Sequence, residues 1–108
     1  MELTMKFSLV CTSLPNGEQA STIAHELINQ KLVICCWIRP MHTAIYEWEG
    51  KVREDIECEL ICKTIPKHIP GIQAIIEKNH PYEVPYLAVF EGDIVHKGYG
   101  KWMGDILQ

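Results

Sequence analysis

The chain has no C-x-x-C pair, no glycine-rich phosphate loop, no long apolar run and no block of basic residues. Each absence removes a class of function. Without a glycine-rich loop, the backbone offers no motif for cradling a nucleotide phosphate. Its ten lysines and arginines are scattered, and the formal net charge is −4 with a sequence pI of about 5.7. Nucleic-acid binding rests on clustered positive charge, and the aromatic strand pattern of an RNA-recognition domain is also missing, so nucleic acid is excluded as a partner. No apolar run approaches the length of a membrane span. The opening segment MELTMKFSLVCTS is charged at Glu2 and Lys6, and its apolar stretch is too short for a signal peptide. Five cysteines are many for this length, but the number is odd and the spacing fits no disulfide framework. They read as small buried hydrophobes in a reducing compartment. The expectation is a cytoplasmic chain with neither membrane nor nucleic-acid partners.

What remains is an ordinary globular composition, 47% hydrophobic and 22% charged over 108 residues. That length suits a single domain, residues 1–108. Lys6 to Thr12 is apolar and β-prone and predicts a first strand. Asn16 stands where a helix cap is needed, with Gln19 at capping-box spacing. From Glu18 to Lys31, Ala20, Ile23, Ala24, Leu27 and Ile28 recur at three- and four-residue steps and define one stripe of an amphipathic helix. Leu32 to Ile38 is continuously apolar, which predicts a strand covered on both faces, interrupted by Arg39-Pro40-Met41.

Thr43 to Thr64 then reads as a long hairpin broken at Glu49-Gly50. Beyond the break Val52, Ile56, Cys58, Leu60 and Cys62 point one way, and Arg53, Asp55, Glu57, Glu59 and Lys63 the other. Pro66 and Pro70 bracket the start of a second helix, whose buried stripe is Ile69, Ile72, Ile75 and Ile76. Pro81 disfavours helical geometry at His80, so this helix stops near Asn79. Tyr86 to Phe90 predicts a buried strand, Glu91-Gly92-Asp93 a turn, and Ile94 to Gln108 an edge strand followed by a terminal helix. The order is β, α, β-hairpin-β, α, β. Two helices across one face of a four-stranded antiparallel sheet is an α+β, ferredoxin-like split βαβ arrangement with an extended hairpin.

Several segments together resemble the CutA family. They are YEWEGK at 46–51, Asp55 and Glu57 on the next strand, Lys63-Thr64 at its end, HPYEVP at 80–85, Cys11-Thr12 closing the first strand, and Leu32 to Pro40. The resemblance spans roughly residues 7 to 90. It implies a ferredoxin-like subunit in a compact homotrimer, each hairpin extending onto a neighbour. It also implies a non-enzymatic role in divalent-cation tolerance, with copper or another divalent cation as the implied partner and no organic cofactor. Asn79 stands where some members carry a histidine before His80-Pro81.

Candidate site residues follow from both lines. A thiolate and an imidazole suit copper(I), so Cys11 with His80 forms the candidate metal pair. Cys58 and Cys62 lie about 13 Å apart along one strand and cannot share an ion. His25, His42, His68 and His96 have no metal-ligand spacing to one another. The candidate trimer interface or cleft comprises Tyr46, Trp48, Glu49, Lys51, Glu57, Lys63, Tyr82 and Glu83. Trp48 near a hairpin tip is the most informative of these, because an isolated tip would leave a large indole in water. An enzyme built on Cys11 and His80 would lack both a third member and an oxyanion site. The alternative function is a trimeric signalling module that binds a small anion or nucleotide in subunit clefts through Lys51, Lys63 and Arg39.

Overall fold

The computed structural model describes residues 5–108, so Glu2 of the opening segment lies outside the described residues. Strand β1 (Met5–Leu14) leads into helix α1 (Gly17–Asn29), and strands β2 (Cys35–Trp48) and β3 (Lys51–Thr64) form the hairpin. A short 3-10 turn at Pro66–His68 opens helix α2 (Ile69–Asn79), followed by strand β4 (Leu87–Ile94) and helix α3 (Lys97–Leu107). The antiparallel sheet has the order β2-β3-β1-β4. This is the split βαβ topology expected from the element order.

Helices α1 and α2 cover one face of the sheet. Val10, Leu14, Ala20, Ile23, Leu27 and Leu60 form the centre of the main core, joined by Ile72 and Ile76 of α2. Asn16 caps α1 by accepting from the backbone N–H of Gln19 at 2.9 Å. At the other end Lys31 adopts a left-handed φ of 57°. Its N–H reaches the carbonyl of Ile28, and that of Leu32 reaches Leu27, each at 3.0 Å. This is a Schellman stop with lysine where glycine is usual. Ile28, placed on the buried stripe by periodicity, is instead 42% exposed.

Helix α3 lies on the opposite face. Met103 and Leu107 pack there with Ile34 and Ile65, flanked by Met5, Phe7, Cys35 and Ile94. The turn expected at Glu91-Gly92-Asp93 is not a turn, because all three residues belong to β4. Gly92 pairs with Phe7, and a Cβ there would lie 2.7 Å from the phenyl ring. The glycine is present to admit that ring, and the true turn follows Ile94. No separate edge strand precedes α3, whose first turn is capped by His96 Nδ1 accepting from the N–H of Tyr99.

Strand β2 also differs from expectation. It runs unbroken from Cys35 to Trp48, with a register shift between Arg39 and His42 that absorbs Pro40. An edge strand tolerates proline at a bulge because no ladder hydrogen bond is lost there. Being at the edge, β2 is not covered on both faces, and Trp37 and Ile38 are half exposed.

The hairpin outruns the helices. The molecule measures 52 × 28 × 23 Å with a Cα radius of gyration of 15.3 Å, above the ~13 Å of a compact domain of this length. Glu49 and Gly50 both take positive φ, 51° and 79°, as a two-residue type I′ turn requires. Helix coverage ends near Cys58. Beyond it the helix-side face of the hairpin presents Ile45, Val52 and Ile56 at 66%, 75% and 58% exposure.

Candidate binding cleft

The segment HPYEVP is both a helix stop and the wall of a site. Pro81 releases the chain from α2, and His80 at its C-cap turns back toward the end of β1. Nδ1 of His80 accepts from the backbone N–H of Tyr82 at 3.1 Å. Nε2 therefore carries the proton, and it donates to the carbonyl of Ser13 at 2.8 Å with Thr12 Oγ1 at 3.1 Å. Thr12 in turn donates to the carbonyl of Tyr86 at 2.7 Å. Burial holds the His80 imidazole below the ordinary histidine pKa, so it is neutral in this network.

This tie sets the 80–86 loop against the distal half of the hairpin and leaves a cleft of about 480 Å³ between them. From the hairpin come Tyr46, Trp48, Arg53, Asp55 and Glu57, and from the loop Tyr82, Glu83 and Tyr86. The register explains the hairpin set: Tyr46 pairs with Arg53 and Trp48 with Lys51, so the odd-numbered residues of β3 share a face with both aromatics. Tyr82 donates to Glu57 Oε2 at 2.7 Å, and Tyr46 donates to Asp55 Oδ2. The Tyr82 phenol is pushed well above its usual pKa, by burial first and then by Glu57. Tyr46 moves the same way, chiefly through its hydrogen bond to Asp55. Both phenols therefore stay protonated donors across the neutral range.

Of the residues singled out from sequence, Tyr46, Trp48, Glu57, Tyr82 and Glu83 line this cleft. Glu49 sits in the hairpin turn and Lys51 beside it, outside the lining. Lys63 is elsewhere: its ammonium lies 4.7 Å from the Trp37 ring centroid and donates to the Tyr99 hydroxyl at 3.0 Å. Arg39 is paired with Glu59 at 3.6 Å. Arg53, Asp55 and Tyr86 were missed. Period two places Arg53 on the wet face with Glu57, whereas nothing local to Tyr86 announces its role.

The structure does not gather Cys11 and His80 into a ligand set. Both nitrogens of His80 are engaged, one as acceptor and one as donor, so no lone pair faces a thiol. Cys11 is 4% exposed, and burial raises its pKa. Cys62 is driven up further by its contact with Cys36 and by burial. Among the described residues no group of three or more His, Cys, Asp or Glu side chains is arranged to hold a metal ion. The donors among the described residues therefore form no ligand set for a resident metal.

Comparison with known proteins agrees with this architecture. The family model described as CutA1 divalent ion tolerance protein matches residues 8–105. The divalent-cation tolerance protein CutA of Thermococcus kodakarensis is 35% identical over 103 residues, spanning 95% of this chain and 98% of that protein. The crystal structure of CutA1 from Oryza sativa superposes with a TM-score of 0.90 at 30% identity, over 97% of this chain and 96% of that one. The CutA1 structure from Ehrlichia chaffeensis gives 0.88 at 26% identity and covers 99% of each chain.

Proposed function

The chain belongs to the CutA1 divalent ion tolerance family, and we propose that it acts as a cytoplasmic homotrimer in the response to divalent metal ions, without a catalytic step. The observation that carries the assembly is the strip of Ile45, Val52 and Ile56 on a hairpin that projects past its own helices. Exposed apolar side chains grouped around Glu54 on one face of an arm that projects past its own helices mark an interaction surface. Trp48, 38% exposed, adds to the same arm from its other face.

The non-catalytic part of the reading is supported by the state of the two candidate groups. A buried, protonated thiol at Cys11 and an imidazole committed to Ser13 and Tyr82 make a poor nucleophile and a poor base toward each other. For metal ions the proposal rests on family membership. A copper(I) bridge between Cys11 and His80 would have to detach His80 from its hydrogen bonds and deprotonate a buried thiol. Five unpaired thiols suit a reducing compartment. No helix among the described residues is long and apolar enough to cross a membrane.

Native mass spectrometry tests the assembly: the expected species is three times the 12.4 kDa chain mass. A single species at the monomer mass would defeat the proposal.

The alternative of a small anion or nucleotide in the cleft is disfavoured by charge. Lys63 and Arg39, two of its three expected cations, are engaged away from the cleft, and the lining carries three carboxylates against one guanidinium.

A further inference from the structure

The cleft between the hairpin and the 80–86 loop has a lining that neither divalent-ion chemistry nor catalysis explains. Four aromatic residues, Tyr46, Trp48, Tyr82 and Tyr86, share it with Asp55, Glu57 and Glu83. At about 480 Å³ it falls in the usual range of small-molecule sites, roughly 300–1,000 Å³. One guanidinium, Arg53, leaves the lining with an excess of two negative charges.

We propose that this cleft binds a small organic cation, an alkylated or quaternary ammonium, held by the four aromatic rings and by the carboxylates of Glu57 and Glu83. A hard cation such as Mg²⁺ or Ca²⁺ holds its water tightly and asks for six or more oxygen ligands. Copper asks for thiolate or imidazole, neither of which is in this lining, and no metal ion gains much from phenol and indole rings. A quaternary ammonium is weakly hydrated, and aromatic rings attract it through their quadrupoles. An anion would meet the excess negative charge.

The hydrogen bonds in the cleft favour the same ligand. Tyr82 donates to Glu57 and Tyr46 to Asp55, so both phenols point their protons at carboxylates and not at the ligand. A phenol that donates to an anion becomes more electron-rich in its ring, which strengthens its attraction for a cation. The carboxylates keep their remaining lone pairs and their charge. The His80 tie to Ser13 and Thr12 holds the loop half of the lining before a ligand arrives, so little ordering is needed on binding.

The experiment uses the full chain and two probes of the same shape, choline and its neutral carbon isostere 3,3-dimethylbutan-1-ol, titrated by calorimetry. Choline is expected to bind at least tenfold more tightly than the alcohol. Trp48→Leu is expected to weaken choline by about 2- to 30-fold, the span of one cation–π contact. Glu83→Gln is expected to weaken choline without changing the response to the alcohol. Tyr86→Ala, on the loop side, gives an independent reading if Trp48→Leu alters assembly. Equal affinity for the two probes would reduce the cleft to an apolar pocket and overturn the proposal. No choline binding at millimolar concentration, or tighter binding of inorganic phosphate, would overturn it as well. The native mass of the assembly is read separately, so failure here leaves the proposed trimer standing.

Discussion

His80 donates a hydrogen bond from Nε2 to the backbone carbonyl of Ser13 at 2.8 Å, joining the end of α2 to the end of β1 across 67 residues of sequence. The same ring accepts from Tyr82, so one imidazole sets the position of the loop that forms half the cleft.

The tie gives a defined pH dependence. Burial lowers the His80 pKa in the folded protein, whereas the unfolded chain takes up its proton near the ordinary value of about 6.5. Below that value the unfolded state binds more protons, so stability is complete above it and falls as the pH drops toward the folded-state value. Thermal melts between about pH 7 and pH 5 should show a steeper fall for wild type than for His80→Gln, which keeps a donor but does not titrate. Parallel slopes would remove His80 from the account.

Gly92 should resist substitution although it lies in an edge strand. A methyl group there would sit 2.7 Å from Phe7 Cε1 and 3.0 Å from Cζ. Gly92→Ala is expected to destabilise by about 1–3 kcal/mol, the usual range for overpacking. In urea unfolding, Phe7→Leu combined with Gly92→Ala should recover part of that loss, because the two positions are in contact. Simple additivity of the two changes would contradict the packing argument.

Lys31 offers the opposite case. Its left-handed φ of 57° strains a side chain that glycine lacks. Lys31→Gly should raise stability by up to about 1 kcal/mol, the relief of strain being offset partly by glycine's greater freedom in the unfolded chain. A lowered melting temperature would show that the lysine contributes more than its backbone geometry.

The exposed strip should control assembly. Ile45→Asp with Val52→Asp places two charges on the helix-side face of the hairpin, where both residues are now apolar and exposed. The expected product is a folded monomer, with circular dichroism unchanged and native mass reduced to one chain. A normal trimer would mean that the strip is not the interface.

Copper(I) titration addresses the remaining pair. Because His80 is committed and the Cys11 thiol is buried and protonated, Cys11→Ala is expected to leave copper(I) affinity unchanged. A tenfold or greater loss would show that the chain opens to present both donors.

Local rules determined a good part of this protein from sequence. The helix stop before Pro81, the Asn16 cap, the helical stripe and the alternation along β3 each follow from φ restriction or periodicity within a few residues. For the same reason the fold and the shared face of Tyr46 and Trp48 were legible. Glu91-Gly92-Asp93 was misread because the need for glycine comes from Phe7, 85 residues earlier and adjacent only through strand pairing. Continuous apolarity from Leu32 to Ile38 suggested two covered faces, and only the sheet order made β2 an edge. The tertiary structure alone decided that Lys63 stacks on Trp37 and that Tyr86 joins the hairpin aromatics. A cleft is lined by whatever register and loop closure bring together, and those depend on contacts between segments that no local pattern records.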